Sequence, residues 1–298
     1  MGKVLVICGA TASGKTALAV DCAKKFGGEV ISADSLLVYK DLNVGTAKPS
    51  LEERQGVPHH MIDVVSPTES FSVSDYERIA LPILEKLLSE GKTPVICGGT
   101  GFYIRSLLYK QQLGGVGADE QIRRKYEQIA SEQGVERLHS ILREKDEETA
   151  DKLHPNDVKR VIRALEIFDI TGKPKSMQKD EAVPRFDFLA VSIDYPRELL
   201  YERIEKRVDI MFEQGLKEEV RSLLENGVTE TDQCMQGIGY KEVVEGLKRG
   251  DSDEEIKELI KKNTRNYAKR QLTFFKRMEN HVRLAPNLAT AEEVAKYL

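Results

Sequence analysis

Runs of consecutive apolar residues alternate along this chain with stretches in which apolar positions recur every three or four residues. Residues 3 to 9 (Lys-Val-Leu-Val-Ile-Cys-Gly) form a continuous β-branched run without polar alternation, the pattern of a strand buried on both faces of a parallel sheet. The same reasoning marks 29 to 33 (Glu-Val-Ile-Ser-Ala), 94 to 97 (Pro-Val-Ile-Cys) and 186 to 193 (Phe-Asp-Phe-Leu-Ala-Val-Ser-Ile) as strands. Helical stretches separate them: one opens near Gly14 and carries Leu18, Ala19 and Cys22 inward, another covers 75 to 90. Strands alternating with helices predict an α/β fold, a parallel, doubly wound sheet with helices on both faces.

Residues 115 to 180 break the alternation, with no strand-like run and apolar residues at helical spacing. Over 156 to 170 that spacing puts Val158, Val161, Ile162, Leu165 and Phe168 on one face. Asn156, after Pro155, is the expected cap, and Thr171-Gly172-Lys173-Pro174 the expected stop. The pattern predicts an all-helical insertion over 113–180, hinged on Gly114, Gly115 and Gly117, inside a core made of 1–112 and 181–298. From Arg197 onward the chain reads as helical throughout, broken near Gly227, Gly237-Ile238-Gly239 and Gly250.

Composition narrows the class. With 45 Lys+Arg against 49 Asp+Glu the formal charge is −4, so any nucleic-acid site must be a local patch. The apolar runs are strand-length, so no membrane span is expected. Residues 1 to 10 run straight into a glycine-rich loop, without the apolar core and cleavage site of a signal peptide. Met1-Gly2 opens like a myristoylation signal but has Val6 where Ser or Thr is wanted. Cys8, Cys22, Cys97 and Cys234 show neither CxxC pairing nor a histidine at metal spacing, so buried thiols in a reducing cytoplasm are expected.

Gly9-Ala10-Thr11-Ala12-Ser13-Gly14-Lys15-Thr16 matches G-x-x-x-x-G-K-[ST] between a buried strand and a helix, the context that gives this motif its meaning. Its glycines let the backbone wrap phosphate, successive N–H groups and the helix N-terminus supply donors, Lys15 a charge and Thr16 a hydroxyl for Mg²⁺. The loop alone leaves open whether a nucleoside triphosphate or another diphosphate occupies it. A regulatory GTPase would need an N-K-x-D guanine reader, and the sequence has none. A small-molecule kinase remains open, because Asp34 at the end of the second strand is placed to meet an acceptor; a helix cap is its plainer role. Residues 261 to 283 carry Lys261, Lys262, Arg265, Lys269, Arg270, Lys276, Arg277 and Arg283 against Glu279, a local charge of +7. That tract is a solvated face or an RNA-binding one. Tyr267, Phe274 and Phe275 interleave with it at a spacing more typical of core than of base-stacking platforms.

A wider set of motifs decides among these readings. The phosphate loop, Asp34-Ser35-Leu-Leu-Val-Tyr39, Asn43-Val-Gly-Thr-Ala-Lys-Pro49, Pro58-His-His60 with Asp63, Gly98-Gly-Thr100-Gly-Phe-Tyr103, His154-Pro-Asn-Asp157, Gln236-Gly-Ile-Gly-Tyr240 and Lys269-Arg-Gln271 together resemble the bacterial tRNA dimethylallyltransferases. The resemblance runs in order from residue 9 to about 277. It implies a P-loop NTPase-like core, and transfer of an isopentenyl group from dimethylallyl diphosphate to N6 of the adenosine just 3′ of the anticodon. It gives the phosphate loop, Gly9, Ala10, Thr11, Ala12, Ser13, Gly14, Lys15 and Thr16, a diphosphate rather than ATP, with Mg²⁺ on Thr16. Asp34 becomes a general base, and Thr100 and Arg207 further catalytic residues. The tRNA contacts of the family fall on Asp34, Ser35, Leu36, Leu37, Thr100, Arg123, Lys159, Arg160, Val161, Ile162 and Arg163, with Lys269, Arg270 and Gln271 in the C-terminal tract. The partners implied are the tRNA anticodon stem-loop and the prenyl diphosphate, with the insertion as a clamp and a monomer as the working form. Ala10 departs from the proline frequent there, at a position that offers only backbone. By themselves, Arg203 and Arg207, four apart on one helix face, read as a solvated stripe. Prenyltransferases acting on free nucleotides fit the basic tracts less well, and a pure RNA-binding protein leaves the phosphate loop without a task.

Overall fold

The computed structural model describes residues 3–110, 117–177 and 183–298. The chain divides into two units, Met1–Leu108 with Pro184–Leu298, and Tyr109–Val183. Gly114 and Gly115 lie outside the described residues.

The first unit begins with β1 (Val4–Cys8), α1 (Lys15–Phe26), β2 (Glu29–Ser32), α2 (Leu51–Arg54), β3 (His59–His60), α3 (Val73–Ser89), β4 (Pro94–Gly98) and α4 (Gly101–Leu108). The second carries β5 (Tyr109–Lys110), α5 (Glu120–Gln133), α6 (Val135–Lys145), α7 (Glu147–Lys152) and α8 (Val158–Thr171), and the chain returns through β6 (Val183–Pro184), paired with β5. Then come β7 (Phe188–Ile193), α9 (Arg197–Glu213), α10 (Leu216–Glu225), α11 (Tyr240–Arg249), α12 (Asp253–Phe275), β8 (His281–Leu284) and α13 (Ala291–Val294).

Six strands form a parallel sheet in the order β3-β2-β4-β1-β7-β8. β1 is central, with Leu5 opposite Val95 on one side and Leu189 on the other. Both of its faces are buried, which is why its sequence shows no alternation. Leu5, Ile7, Val30, Val95 and Val191 pack with Leu18, Ala19 and Cys22 of α1 and with Ala291 and Val294 of α13. One residue out of phase, Val6, Ile31 and Ile96 turn to the opposite face, where α3 packs on β2 and β4. Helix α3 opens with a Ser72–Asp75 capping box and buries Tyr76, Ala80, Leu84 and Leu87, one stripe at helical spacing. The Tyr76 hydroxyl donates to the Ser32 carbonyl (2.9 Å), and its ring stacks on Tyr103 of α4 at 4.0 Å.

Two expectations change. The C-terminal third is not helical throughout: β8 extends the sheet as an edge strand, pairing Val282 with Val191. Its alternation is masked because it is four residues long, half exposed and rich in polar groups. Helix α8 is capped at Asp157 rather than Asn156, and the Asp157 side chain pairs with Arg160 (3.2 Å) instead of closing the cap. Gly172, in the left-handed conformation, ends that helix as the sequence predicts. The core of the second unit gathers Tyr126, Leu138, Leu142, Val161, Ile162 and Leu165.

Candidate active site at the phosphate loop

The carboxyl ends of β1, β2 and β4 meet beside the point where strand order reverses around β1, the place where open parallel sheets bind ligands. After β1 the backbone takes positive φ at Gly9 (129°), Ala12 (60°) and Gly14 (84°), which wraps it into the mouth of α1. Gly14 is the N-cap of α1 and offers no side chain, so no cap takes up the first-turn N–H groups, the donors an anion at a helix N-terminus uses. The Ser13 hydroxyl donates to the Ala10 carbonyl at 2.9 Å, and the Lys15 ammonium to the same carbonyl at 2.5 Å. Helix α12 grips the loop from outside: Gln271 Oε1 accepts the Thr11 N–H (2.9 Å) while its Nε2 donates to the Gly99 carbonyl (3.0 Å). A Cβ at position 99 would lie 2.0 Å from that amide nitrogen, so a side chain there would push Gln271 out of its bridge. From α9, Arg203 Nε donates to the Ala12 carbonyl (2.8 Å), and its guanidinium lies 4.9 Å from the Tyr195 ring centre.

Burial pushes the Lys15 ammonium below its ordinary range, and the Arg207 guanidinium adds to the effect. The loop therefore presents concentrated, poorly solvated positive charge, which an anionic ligand would relieve. Asp34 follows β2, and its Oδ1 accepts the Leu36 N–H at 2.9 Å. Thr100 follows β4, and its Oγ1 accepts the Ser35 N–H (3.0 Å) and donates to the Ser35 hydroxyl (3.3 Å). Those bonds join the turns after β2 and β4.

Two cavities open here. The larger, about 360 Å³, is lined by Thr11, Asp34, Arg207, Tyr267 and an apolar wall of Ile204, Val208, Met211 and Ile260. The smaller, about 90 Å³, is lined by Lys15, Thr16, Ser32, Asp34, His59 and Arg207. Asp34, Arg207, Thr11, Thr46 and Tyr267 border both. Arg207 is half-buried, and its Nη2 donates to the Thr46 carbonyl at 3.1 Å. Burial pushes its guanidinium down from the usual range and the nearby Asp34 charge pulls it back, so it stays a cation at neutral pH. Tyr267, read from spacing as core, is half-buried at the cavity, and burial together with the Asp34 charge pushes its phenol up to about 12.

A model of the IPP transferase family matches residues 37–278. The chain belongs to that family. It is 48% identical to the tRNA dimethylallyltransferase of Acetivibrio thermocellus over 94% of this chain and 90% of that one. It is 45% identical to the tRNA dimethylallyltransferase of Pelotomaculum thermopropionicum over 98% and 94% of the two chains. Among solved structures, a tRNA isopentenylpyrophosphate transferase of Staphylococcus epidermidis is 40% identical, covers 99% of this chain and 97% of its own, and superposes with a TM-score of 0.72. A eukaryotic dimethylallyltransferase acting on tRNA is 33% identical, covering 96% of this chain and 74% of its own, with a TM-score of 0.82.

The residues to which the resemblance assigns RNA contact fall into five physical groups. Lys159 and Arg160 of α8, and Lys269 and Arg270 of α12, are exposed, and Arg270 also borders the larger cavity. Val161 and Ile162 are buried in the second unit's core, where their side chains anchor the helix that carries Lys159 and Arg160. Arg123 and Arg163 converge on the fully buried carboxylate of Glu166, Arg123 Nε at 2.8 Å. Burial alone would raise the Glu166 carboxyl, but the two arginines and the Asp119 N–H outweigh it and hold it below the usual range. Ser35 and Leu36 line the larger cavity and Leu37 the smaller, whereas Gln271 is buried, with its amide committed to the two loops. The C-terminal basic tract is less charged in space than in sequence, since Lys261 pairs with Asp209 (3.0 Å) and Arg265 with Glu205 (2.6 Å), both on α9. Thr46, Tyr267 and the bridging role of Gln271 are features that spacing did not mark; in hindsight Ala268, Gln271 and Phe275 form the buried stripe of α12.

Proposed function

We propose that this protein transfers the dimethylallyl group of dimethylallyl diphosphate to N6 of the adenosine 3′-adjacent to the anticodon in tRNA. The larger cavity carries this reading: one space joins the phosphate loop through Thr11, a carboxylate at Asp34, a cation at Arg207 and an apolar wall that suits a short prenyl chain. An adenine amine is a poor nucleophile because its lone pair is delocalised into the ring. As the N6–C bond forms, Asp34 takes the N6 proton while the allylic C–O bond breaks and its electron pair leaves on the diphosphate. Negative charge grows on that leaving group, so the loop N–H groups, Lys15 and Arg207 bind the transition state better than the ground state. Thr100, tied to the Ser35 turn, helps hold the amine in line.

The donor set suits Mg²⁺, which takes hard oxygen ligands and is shared with substrate phosphates rather than caged by protein. Thr16 would hold it, with Asp34 bordering the same small cavity. When bound, the ion neutralises diphosphate charge. With this reading goes a monomer working in the cytoplasm.

The donor assignment is tested by melting. Dimethylallyl diphosphate with Mg²⁺, at about a hundredfold excess over its Kd, should stabilise the fold by about 2.7 kcal/mol by mass action. ATP should act weakly. Tight ATP binding with phosphate transfer to a small alcohol, and no response to the prenyl diphosphate, would replace this reading with a kinase.

The target base lies in a stacked loop and must be extruded to reach Asp34, so basic side chains have to hold the surrounding backbone. Replacing Lys159, Arg160 and Lys269 together by alanine should lower the slope of log affinity against log salt by about 0.7 to 0.9 per charge, roughly uniformly across tRNA sequences. These three are chosen because Arg163 serves Glu166 and Arg270 borders the cavity. An unchanged slope would return all three to the solvated-face reading.

A further inference from the structure

Two motifs, Asn43–Pro49 and Gln236–Tyr240, have no chemical step of their own in the proposed reaction. They meet at Glu219 of α10, a residue of neither. One Glu219 oxygen accepts the backbone N–H groups of Asn43 (2.8 Å) and Val44 (2.7 Å). The other accepts the Gly45 N–H (3.1 Å) and the Tyr240 hydroxyl (2.7 Å). Three successive backbone donors on one carboxylate are charge-assisted bonds that hold the turn more firmly than its own amides would. Burial and the adjacent carboxylate push the Tyr240 phenol far above its ordinary range, so it remains the donor. On the other side the turn rests on the Tyr240 ring, where a Cβ at Gly45 would lie 2.5 Å from the ring carbons. The next residue, Thr46, is buried; its hydroxyl donates to the Leu42 carbonyl (2.7 Å) and its own carbonyl accepts from Arg207 (3.1 Å).

We propose that Glu219 is a positioning residue: by gripping Asn43, Val44 and Gly45 it fixes the Thr46 carbonyl, which in turn aims the Arg207 guanidinium at the departing diphosphate. This rests on the role given to Arg207 above. A carboxylate is required because an amide would set its own NH₂ group against backbone donors. Small displacements of a charged group that must meet a leaving group cost rate steeply, and here the cost would arise at a residue that touches no substrate.

The test is a double-mutant cycle of single-turnover rates at saturating donor and anticodon stem-loop RNA, each normalised to the folded fraction. Glu219→Gln should slow transfer about tenfold, with RNA affinity unchanged and faster amide exchange at Asn43, Val44 and Gly45. Gly45→Ala, which displaces the same turn from the Tyr240 side, should reproduce that loss. In an Arg207→Ala background Glu219→Gln should cost almost nothing further, because both changes remove one interaction. A Glu219→Gln rate equal to wild type, or a loss that is undiminished when Arg207 is already gone, overturns the relay. An Arg207→Ala rate equal to wild type overturns the role of Arg207 itself and the relay with it.

Discussion

Asp34→Ala should lower single-turnover prenyl transfer by about two to four orders of magnitude, the range of a positioned general base. The expectation rests on where the carboxylate stands. It follows β2 at the carboxyl edge of the sheet, borders both cavities and shares them with Arg207 and the phosphate loop. Donor binding should persist, because the loop, Lys15 and Arg207 remain in place. The competing role is structural, since Asp34 Oδ1 accepts the Leu36 N–H. Asp34→Asn separates the two: an amide oxygen can still accept that bond but cannot take the N6 proton. Asn should therefore be nearly as slow as Ala while melting close to wild type. A variant that loses thermal stability and keeps its rate per folded molecule would make Asp34 a cap.

The second large effect is expected at Arg207. Arg207→Ala should slow transfer by about two to three orders of magnitude, comparable to removing one donor that is aimed at developing charge. Its half-buried position makes the guanidinium more effective than an exposed one would be, because charge interactions strengthen where water is excluded. Arg207→Lys should recover only part of the rate, since an ammonium cannot at once hold the Thr46 carbonyl in a fixed plane and face the diphosphate. A weaker KM with an unchanged rate at saturation would mean that Arg207 holds substrate and transition state alike.

The sheet core was legible because β1, β2, β4 and β7 are buried runs without alternation, and the phosphate loop because its motif sits between such a strand and a helix. The edges were not. β3 has two residues, too few to show a period, and β8 lies inside a basic tract whose polar residues obscure its pairing. The electrostatics were legible only locally. The tract from 261 to 283 reads as +7 along the chain, but Lys261 and Arg265 are met by Asp209 and Glu205 of α9, more than fifty residues earlier. Helical spacing places Val161 and Ile162 inward, and their burial agrees with that spacing. By spacing Arg207 is half of a solvated stripe; Arg203 and Arg207 each hold a carbonyl more than a hundred residues away, Ala12 and Thr46, but Arg203 is exposed whereas Arg207 is half-buried and borders both cavities. Glu219 carried no signal at all, since its four donors come from two distant motifs.

The central claim is tested most directly by the mass of the RNA. An anticodon stem-loop incubated with the protein, Mg²⁺ and dimethylallyl diphosphate should gain one dimethylallyl group in place of one hydrogen, on the adenosine 3′ of the anticodon, with release of diphosphate. An RNA of unchanged mass after incubation with folded, donor-binding protein would contradict the account.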